Sequence, residues 1–395
     1  MARTEEDAPA SESIPEPATG TPAGPSTADA PSTAGASSAI GTEVANVWPE
    51  AHSGEMAVAA HRRGVAVKIS AAAIILVALF LLSFVLGRYS GISITDVTKV
   101  LANNILPFLN FDVETNVNTV VMYIRLPRIL AAVLVGAMLS LAGTAYQSIF
   151  RNPLVSPDIL GASAGASLGA AIAIFTGMPS VWVQIFAFAF ALLAIGLTYL
   201  VSGRVKRDPV LALILAGMVI AALANAFVSL LKFVADPNDK LPAITYWLLG
   251  SLANVSSKDL IWVIVPMAIG AIPLFVQRWK LNVLSLGDDE AKALGVETKA
   301  LRRIVILCAT LVTAASISIA GLVGWVGLII PHFCRMLVGS DNRYLLPAST
   351  IVGGAFLLLV DNVARSMLSI EIPLGVLTAI IGAPLFITMI MRKGA

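Results

Sequence analysis

The sequence predicts an all-α integral membrane protein with about ten membrane-spanning helices. Of its 395 residues, 57% are hydrophobic and only 13% are charged, which is about half the charged fraction of a typical soluble domain. The mean hydropathy is +0.86. Long apolar stretches recur between residues 66 and 391, and each is close to the roughly 20 residues that a helix needs to cross the hydrocarbon core.

These apolar stretches divide residues 61–395 into a ten-helix transmembrane domain. Pro331 interrupts the eighth stretch, so that span is expected to be short or kinked. The ten predicted spans are residues 66–87, 128–150, 157–177, 180–202, 209–234, 259–277, 303–321, 323–338, 346–366 and 373–391.

The first 60 residues have a different composition, rich in Pro, Ala, Ser, Thr and Gly. Such a segment buries too little apolar surface to offset the entropy of ordering, so a disordered tail is expected. No basic start leads into an apolar stretch here, which argues against a signal peptide. Met56 lies just before the basic residues 61–63 and the first span. One hypothesis is therefore that the protein begins at Met56, and that residues 1–55 are not translated.

The distribution of lysine and arginine predicts how the domain is oriented. With ten spans, most of these residues fall on the side that holds the N-terminal tail. The positive-inside rule places that side, and both termini, in the cytoplasm. Arg125, Arg128 and Arg365 fall on the external side, against this trend.

The long loop between the sixth and seventh spans contains the sequence SLGDDEAKALG, residues 285–295. It predicts a short amphipathic helix, because the acids at 288–290 complement the positive end of a helix and Gly295 suits a helix stop. Two interpretations are open: a solvated interfacial helix, or a projection that fits a groove on a soluble partner. The apolar residues that can share one face are Leu286, Ala291 and Leu294.

The sequence lacks the motifs of nucleotide binding, of serine hydrolases and of metal sites. The chain contains no Gly-Lys-Ser or Gly-Lys-Thr, hence no P-loop, and no Gly-x-Ser-x-Gly elbow or metal-ligand cluster. Cys308 and Cys334 lie in apolar stretches and are expected to be small buried thiols. Asp361 and Arg365 are the clearest ionisable residues inside a span. Because ion-coupled transporters use buried carboxylates, this scarcity indicates that the chain takes its energy from elsewhere. No catalytic site is expected in the chain, which is therefore not expected to be an enzyme.

Nine short motifs occur in order along the chain, and together they resemble the transmembrane permease of type II ABC importers. That family takes up iron–siderophores, haem and cobalamin. The motifs are RLPR at 125–128, GxxxQxxxRNPL at 143–154, SPxxLGxxxGAxxGA at 156–170, WLLGSL at 247–252, LGxxxAxxLGV at 286–296, VGLIIPHxxR at 326–335, DNRYLLPAS at 341–349, DxxAR at 361–365 and IPLGVLTAIIGAPLF at 372–386.

The resemblance implies a permease subunit that moves an iron(III)–siderophore complex across a bacterial plasma membrane. Haem or cobalamin import is the alternative within the family, and an ion-coupled secondary transporter is the alternative outside it. The implied partners are a second permease subunit, identical or a paralogue, two cytoplasmic ATPase subunits and an extracytoplasmic substrate-binding protein. No nucleic acid is implied, and no cofactor is expected in this chain, since ATP and magnesium would be held by the ATPase.

The resemblance also assigns candidate site residues. The arginines Arg125, Arg128 and Arg365 match positions on the outer face that pair with glutamates of the substrate-binding protein, with snorkelling to lipid headgroups as the alternative. The secondary cytoplasmic loop contacts are Arg151, Asn152 and Pro153. The residues that match the ATPase-coupling loop are Leu286, Gly287, Asp288, Glu290, Ala291, Leu294 and Gly295.

Overall fold

The computed structural model describes residue 60 and residues 62–87, 92–106, 108, 111–205 and 209–393. The predicted disordered tail and the proposed start at Met56 lie outside these residues. The described part of the chain is helical and has no strand. Its helices are α1 (Arg62–Ser83), α2 (Ile94–Ile105), α3 (Thr115–Thr119), α4 (Leu126–Ile149), α5 (Ala162–Phe175), α6 (Ser180–Ser202), α7 (Pro209–Val234), α8 (Lys240–Leu249), α9 (Ser257–Val276), α10 (Arg278–Leu286), α11 (Asp288–Ala293), α12 (Thr298–Ala320), α13 (Val326–Val338), α14 (Asn342–Ser366) and α15 (Leu374–Lys393).

The ten predicted spans correspond to α1, α4, α5, α6, α7, α9, α12, α13, α14 and α15, so the predicted fold class is confirmed. Seven helical segments are long and apolar enough to cross a membrane, and three apolar ones are shorter. One of the short ones is α13, which contains Pro331 as predicted. The third span starts later than predicted, because residues 157–160 form a 3-10 turn that ends at Gly161.

Four helices were not predicted, namely α2, α3, α8 and α10, which lie between spans. Their apolar residues are too few or too interrupted to register as membrane spans. The cap of α2 is reciprocal: the backbone N–H of Asp96 donates to Ser93, and the Asp96 carboxylate accepts from the Ser93 backbone. Such a capping box satisfies backbone donors that the first helical turn otherwise leaves open.

The spans alternate in direction, so the bundle has two ends. The first, called the arginine end, holds the end of α1, the start of α4 and the α14–α15 connection, which contact each other through Arg125 and Arg128. The second, called the α11 end, holds the end of α4, α10, α11 and the start of α14, joined through Arg151 and Asn282.

Helix α4 is the centre of the bundle, and glycines allow its neighbours to come close. Nearly all of its residues are buried. A Cβ at Gly136 would overlap the backbone of Gly353 on α14, and a Cβ at Gly143 would overlap the backbone of Gly327 on α13. Small residues of this kind let membrane helices gain dispersion contacts that lipid cannot match. The α5–α6 contact is built in the same way, with Gly165 and Gly169 against the α6 backbone.

This close packing predicts that Gly143→Ala destabilises the protein by about 1–3 kcal/mol. The new methyl group would meet three backbone atoms of Gly327, and backbone cannot move aside as a flexible side chain can. The measurement is the thermal unfolding temperature of the detergent-solubilised protein.

The control for this prediction is Gly196→Ala on α6. A Cβ there meets nothing within 4 Å, so the change should be neutral or stabilise by up to about 1 kcal/mol through helix propensity. Equal melting temperatures for the two variants would contradict the importance of the α4–α13 contact.

Candidate docking and coupling sites

At the arginine end, Arg128 is held by two carboxylates. Its Nε donates to both oxygens of Asp361, at 2.9 Å and 3.2 Å, and its Nη2 lies 2.9 Å from Asp361 Oδ1. Its Nη1 donates to Glu371 Oε1 at 2.8 Å. Arginine and carboxylate matched in this way form short, directional, charge-assisted hydrogen bonds. The α4 and α14 helices are therefore tied together at this end.

Arg365 joins the same cluster from α14. Its Nη2 donates to the carbonyl oxygen of Ser83 and to Asn362 Oδ1, both at 2.5 Å. Its Nε lies 3.6 Å from Asp361 Oδ2. Since Ser83 is the last residue of α1, Arg365 connects α14 to α1.

Arg125 completes the cluster just before α4. A π-helical turn, Val120–Arg125, leads into α4, and Pro127 occupies the first turn as its fixed φ angle favours. The Nη1 of Arg125 donates to the carbonyl oxygen of Phe84. The end of α1 thus contacts arginines from both α4 and α14.

These contacts correct one part of the sequence interpretation. The three arginines were interpreted as outer-face side chains available to a partner, but Arg125, Arg128 and Arg365 are only 3%, 8% and 5% exposed. Their burial follows from the packing of α4 on α14, which brings Asp361 against Arg128 although 233 residues separate them. A role in docking stays a prediction. Because the arginines are buried, docking would require an arginine to exchange a partner within this chain for one on the docking protein.

A cavity of about 910 Å³ opens beside this cluster at the arginine end. Glu371 belongs to both features. Gln184 and Asp259 are joined across the cavity wall by a 3.0 Å hydrogen bond. Among the described residues that line the cavity, two are carboxylates and none is lysine, arginine or histidine. Its polar lining side chains include Ser180, Gln184, Tyr246, Asn254, Asp259 and Glu371.

At the α11 end, Asp288 is the first residue of α11 and accepts from two arginines. Arg151 Nη2 lies 2.5 Å and Arg302 Nη2 lies 2.8 Å from its Oδ1. Arg151, which follows α4 with a left-handed φ of 50°, also donates from Nε to the carbonyl oxygen of Leu284 at 3.0 Å. The loop helix is thereby fastened to both α4 and α12.

Helix α10 is fastened to the start of α14 as well. Asn282 Nδ2 donates to Asp341 Oδ1 at 2.5 Å, and Asn282 Oδ1 accepts from the backbone of Asn342 at 2.7 Å. Ser148, near the end of α4, donates to Asn342 Oδ1 at 2.9 Å. The α10–α11 loop is therefore tied to the ends of both α4 and α14.

The candidate coupling loop, residues 285–295, contains the predicted helix as α11. Gly295 follows this helix with φ 78°, and its N–H donates to the carbonyl oxygen of Lys292 at 2.9 Å. The predicted single apolar stripe is wrong. Ala291 is fully buried, whereas Leu286 and Leu294 are 66% and 56% exposed. The reason is a break at Gly287, whose φ of 151° separates α10, which ends at Leu286, from α11, which starts at Asp288.

The other polar side chains around α11 and the end of α4 are exposed or lie in turns. Asp289 and Lys292 pair at 2.9 Å on the open side of α11. This hydrogen bond and the Lys292 charge lower the pKa of Asp289, and the same contact raises the pKa of Lys292. Glu290 faces Gly287, where a Cβ would overlap its carboxylate. Asn152 Oδ1 accepts from the Leu154 backbone at 2.9 Å, in the turn that contains Pro153.

Sequence reasoning missed Arg302, Glu371 and the bond between Gln147 and Arg335. Gln147 Oε1 accepts from Arg335 Nη1 at 2.6 Å, and its amide donates to two backbone carbonyls. Both residues belong to motifs of the sequence, which could have marked them as partners. Within the described chain, no group of three or more His, Cys, Asp or Glu residues could hold a metal ion.

Comparison with known proteins supports one class. The chain is 41% identical over 321 residues to the molybdate import system permease protein MolB of Haemophilus influenzae, covering 81% of this chain and 94% of that protein. It is 39% identical over 320 residues to an iron chelatin transport system permease protein of Helicobacter pylori, covering 80% and 97%.

A solved structure agrees with these sequence relatives. It is described as an inward-facing conformation of a metal-chelate type ABC transporter, and it matches with a TM-score of 0.73 and 40% identity over 82% of this chain and 98% of that one. The chain is therefore a permease subunit of an ABC importer, an integral protein of a bacterial inner membrane, and ATP hydrolysis belongs to separate ATPase subunits. Residues 75–392 match the model of the FecCD transport family. The chain belongs to this family.

Proposed function

We propose that this permease passes an iron(III)–siderophore complex into the cytoplasm. The observation that carries the proposal is the cavity at the arginine end. Its volume of about 910 Å³ falls at the upper end of the range of sites that enclose a sizeable organic ligand. Its lining combines neutral polar side chains with aromatic Tyr246 and Trp247, which suits a bulky chelate with many hydrogen-bonding groups.

Molybdate is the second candidate, because the permease of Haemophilus influenzae is named for it. The charge of the cavity lining argues against molybdate as the cargo of this chain. An oxyanion is held by arginine, lysine or convergent N–H donors, whereas the charged side chains among the cavity-lining residues are the carboxylates Asp259 and Glu371. The iron chelatin relative, at 39% identity, supports the proposed cargo. Haem and cobalamin are the alternative cargoes within the family.

We place the partners at the two ends of the bundle. A substrate-binding protein docks at the arginine end, outside the cell, and two ATPase subunits bind at the α11 end, in the cytoplasm with both termini. The exposed Leu286 and Leu294 offer the ATPase an apolar contact. The second permease subunit is an identical copy or a paralogue, and ATP with magnesium stays on the ATPase.

The experiment is uptake by a strain in which the gene for this chain is deleted, compared with the strain that regains it. Radiolabelled ferric hydroxamate siderophore, ferric catecholate siderophore, haem, cobalamin and molybdate are offered separately. Restored uptake of at least one ferric siderophore, with no restored uptake of molybdate, supports the proposal. Restored uptake of molybdate, haem or cobalamin alone overturns the iron–siderophore assignment and names the cargo instead.

A further inference from the structure

The two carboxylates that hold Arg128 are bound in different ways. Asp361 lies on α14, its side chain is 0% exposed, and it accepts from both Nε and Nη2. Glu371 makes a single 2.8 Å contact with Nη1, and its side chain is 28% exposed. A carboxylate arriving from outside can therefore reach the position of Glu371 but not that of Asp361.

Glu371 can release Arg128 without the unfolding of any helix. It belongs to the non-helical segment between α14 and α15, residues 367–373. Its neighbours are fixed by backbone hydrogen bonds, from Ile372 N–H to the carbonyl oxygen of Ala364 at 3.2 Å and from Leu374 N–H to that of Gly250 at 3.0 Å. Release then needs only a rotation of the Glu371 side chain.

The cavity offers space for the Glu371 side chain once it has left Arg128. Glu371 and its neighbours Ile370, Ile372 and Pro373 line the 910 Å³ cavity. A free carboxylate is costly in an apolar site but is solvated in an open, partly polar one. Arg128 Nη1 can donate either to Glu371 or to a carboxylate of another protein. Exchange between the two therefore replaces one charge-assisted hydrogen bond with another.

We propose that Glu371 is a placeholder for the docking partner. In the free permease it occupies Nη1 of Arg128, and when the substrate-binding protein docks, a carboxylate of that protein takes the same position and Glu371 turns into the cavity. This proposal rests on the proposed function, because it takes the substrate-binding protein as the partner at the arginine end. It explains how Arg128, which is buried in the free permease, becomes available to a partner, and it makes docking leave an unpaired carboxylate in the cavity lining.

The test is the affinity of the purified substrate-binding protein for the permease–ATPase complex in lipid nanodiscs, with wild type compared to Glu371→Gln. Removing the competitor should tighten binding about two- to fivefold, the range that corresponds to a partly exposed ion pair. Glu371→Ala should shift the affinity in the same direction, which keeps the test valid if the glutamine variant folds poorly.

The matched control is Asp239→Asn. This acid lies at the same end of the bundle, is exposed, and pairs with its neighbour Lys240 rather than with the cluster. It should leave the affinity unchanged within experimental error, which separates competition at Arg128 from a general loss of negative charge. Unchanged or weaker binding in both Glu371 variants, or equal tightening in the control, would overturn the placeholder role. If the wild-type complex bound no substrate-binding protein at all, the docking assignment itself would be overturned.

Discussion

Asp361→Ala is expected to lower the stability of the folded permease by about 3–5 kcal/mol, the usual cost of leaving a buried charge without its partner. Arg128 would lose three of its four contacts, and Arg365 would lose its nearest carboxylate. This is a large part of the roughly 5–15 kcal/mol that stabilises a typical protein. The measurement is the yield and melting temperature of the detergent-solubilised protein, followed by size-exclusion chromatography.

Two comparisons make this result specific. Glu371→Gln should cost about 1 kcal/mol or less, because its contact is single and partly exposed. A double variant that replaces the pair by apolar side chains, Arg128→Met with Asp361→Leu, should recover part of the loss, since Arg128 is then no longer buried without its carboxylate. The recovery should be incomplete, because Arg365 still loses its contact with Asp361. A fully stable Asp361→Ala variant would show that the cluster does not hold α4 and α14 together.

The burial of the cluster also changes how docking should be tested. Charge reversal at Arg128 would place a carboxylate beside the buried Asp361 and the partly exposed Glu371. Loss of folding would then be mistaken for loss of docking. The apolar double variant of Arg128 and Asp361 is a cleaner choice, because it removes the charge that a partner would bind while keeping the helices packed.

Leu286→Asp combined with Leu294→Asp is expected to abolish association with the ATPase subunits while the permease stays folded. Both side chains are exposed and apolar at the α11 end. Burying a leucine in an interface contributes about 1.5–3 kcal/mol, so losing two should weaken binding by more than a hundredfold. The measurement is the amount of ATPase that co-purifies with the tagged permease, together with transport.

The control is Asp289→Asn on the same helix. Its side chain is 93% exposed and pairs only three residues away with Lys292, so its loss should change co-purification little. If the double leucine variant still co-purified with the ATPase at the wild-type ratio, the contact would have to lie elsewhere on this end of the bundle.

The positions of the spans could be predicted closely from the sequence. Hydropathy is a local property, summed over about 20 residues, and the bilayer allows few alternatives to a helix. A local signal also placed Gly295 at the end of α11. The division of the candidate coupling loop between α10 and α11 was missed, because the break depends on the backbone of one glycine, Gly287, rather than on the pattern of apolar residues.

By itself the sequence determined the membrane class, the ten spans and, through its ordered motifs, the permease family. Only the tertiary structure decided the surroundings of the charges. Arg128 meets Asp361 across 233 residues, and Arg151 meets Asp288 across 137. The first pair forms where Gly136 and Gly353 let α4 and α14 approach closely, and the second forms where α11 packs against the end of α4. Each approach is a property of two surfaces that are distant in the sequence. A span is encoded within its own residues, whereas the partner of a charge depends on which helices pack together.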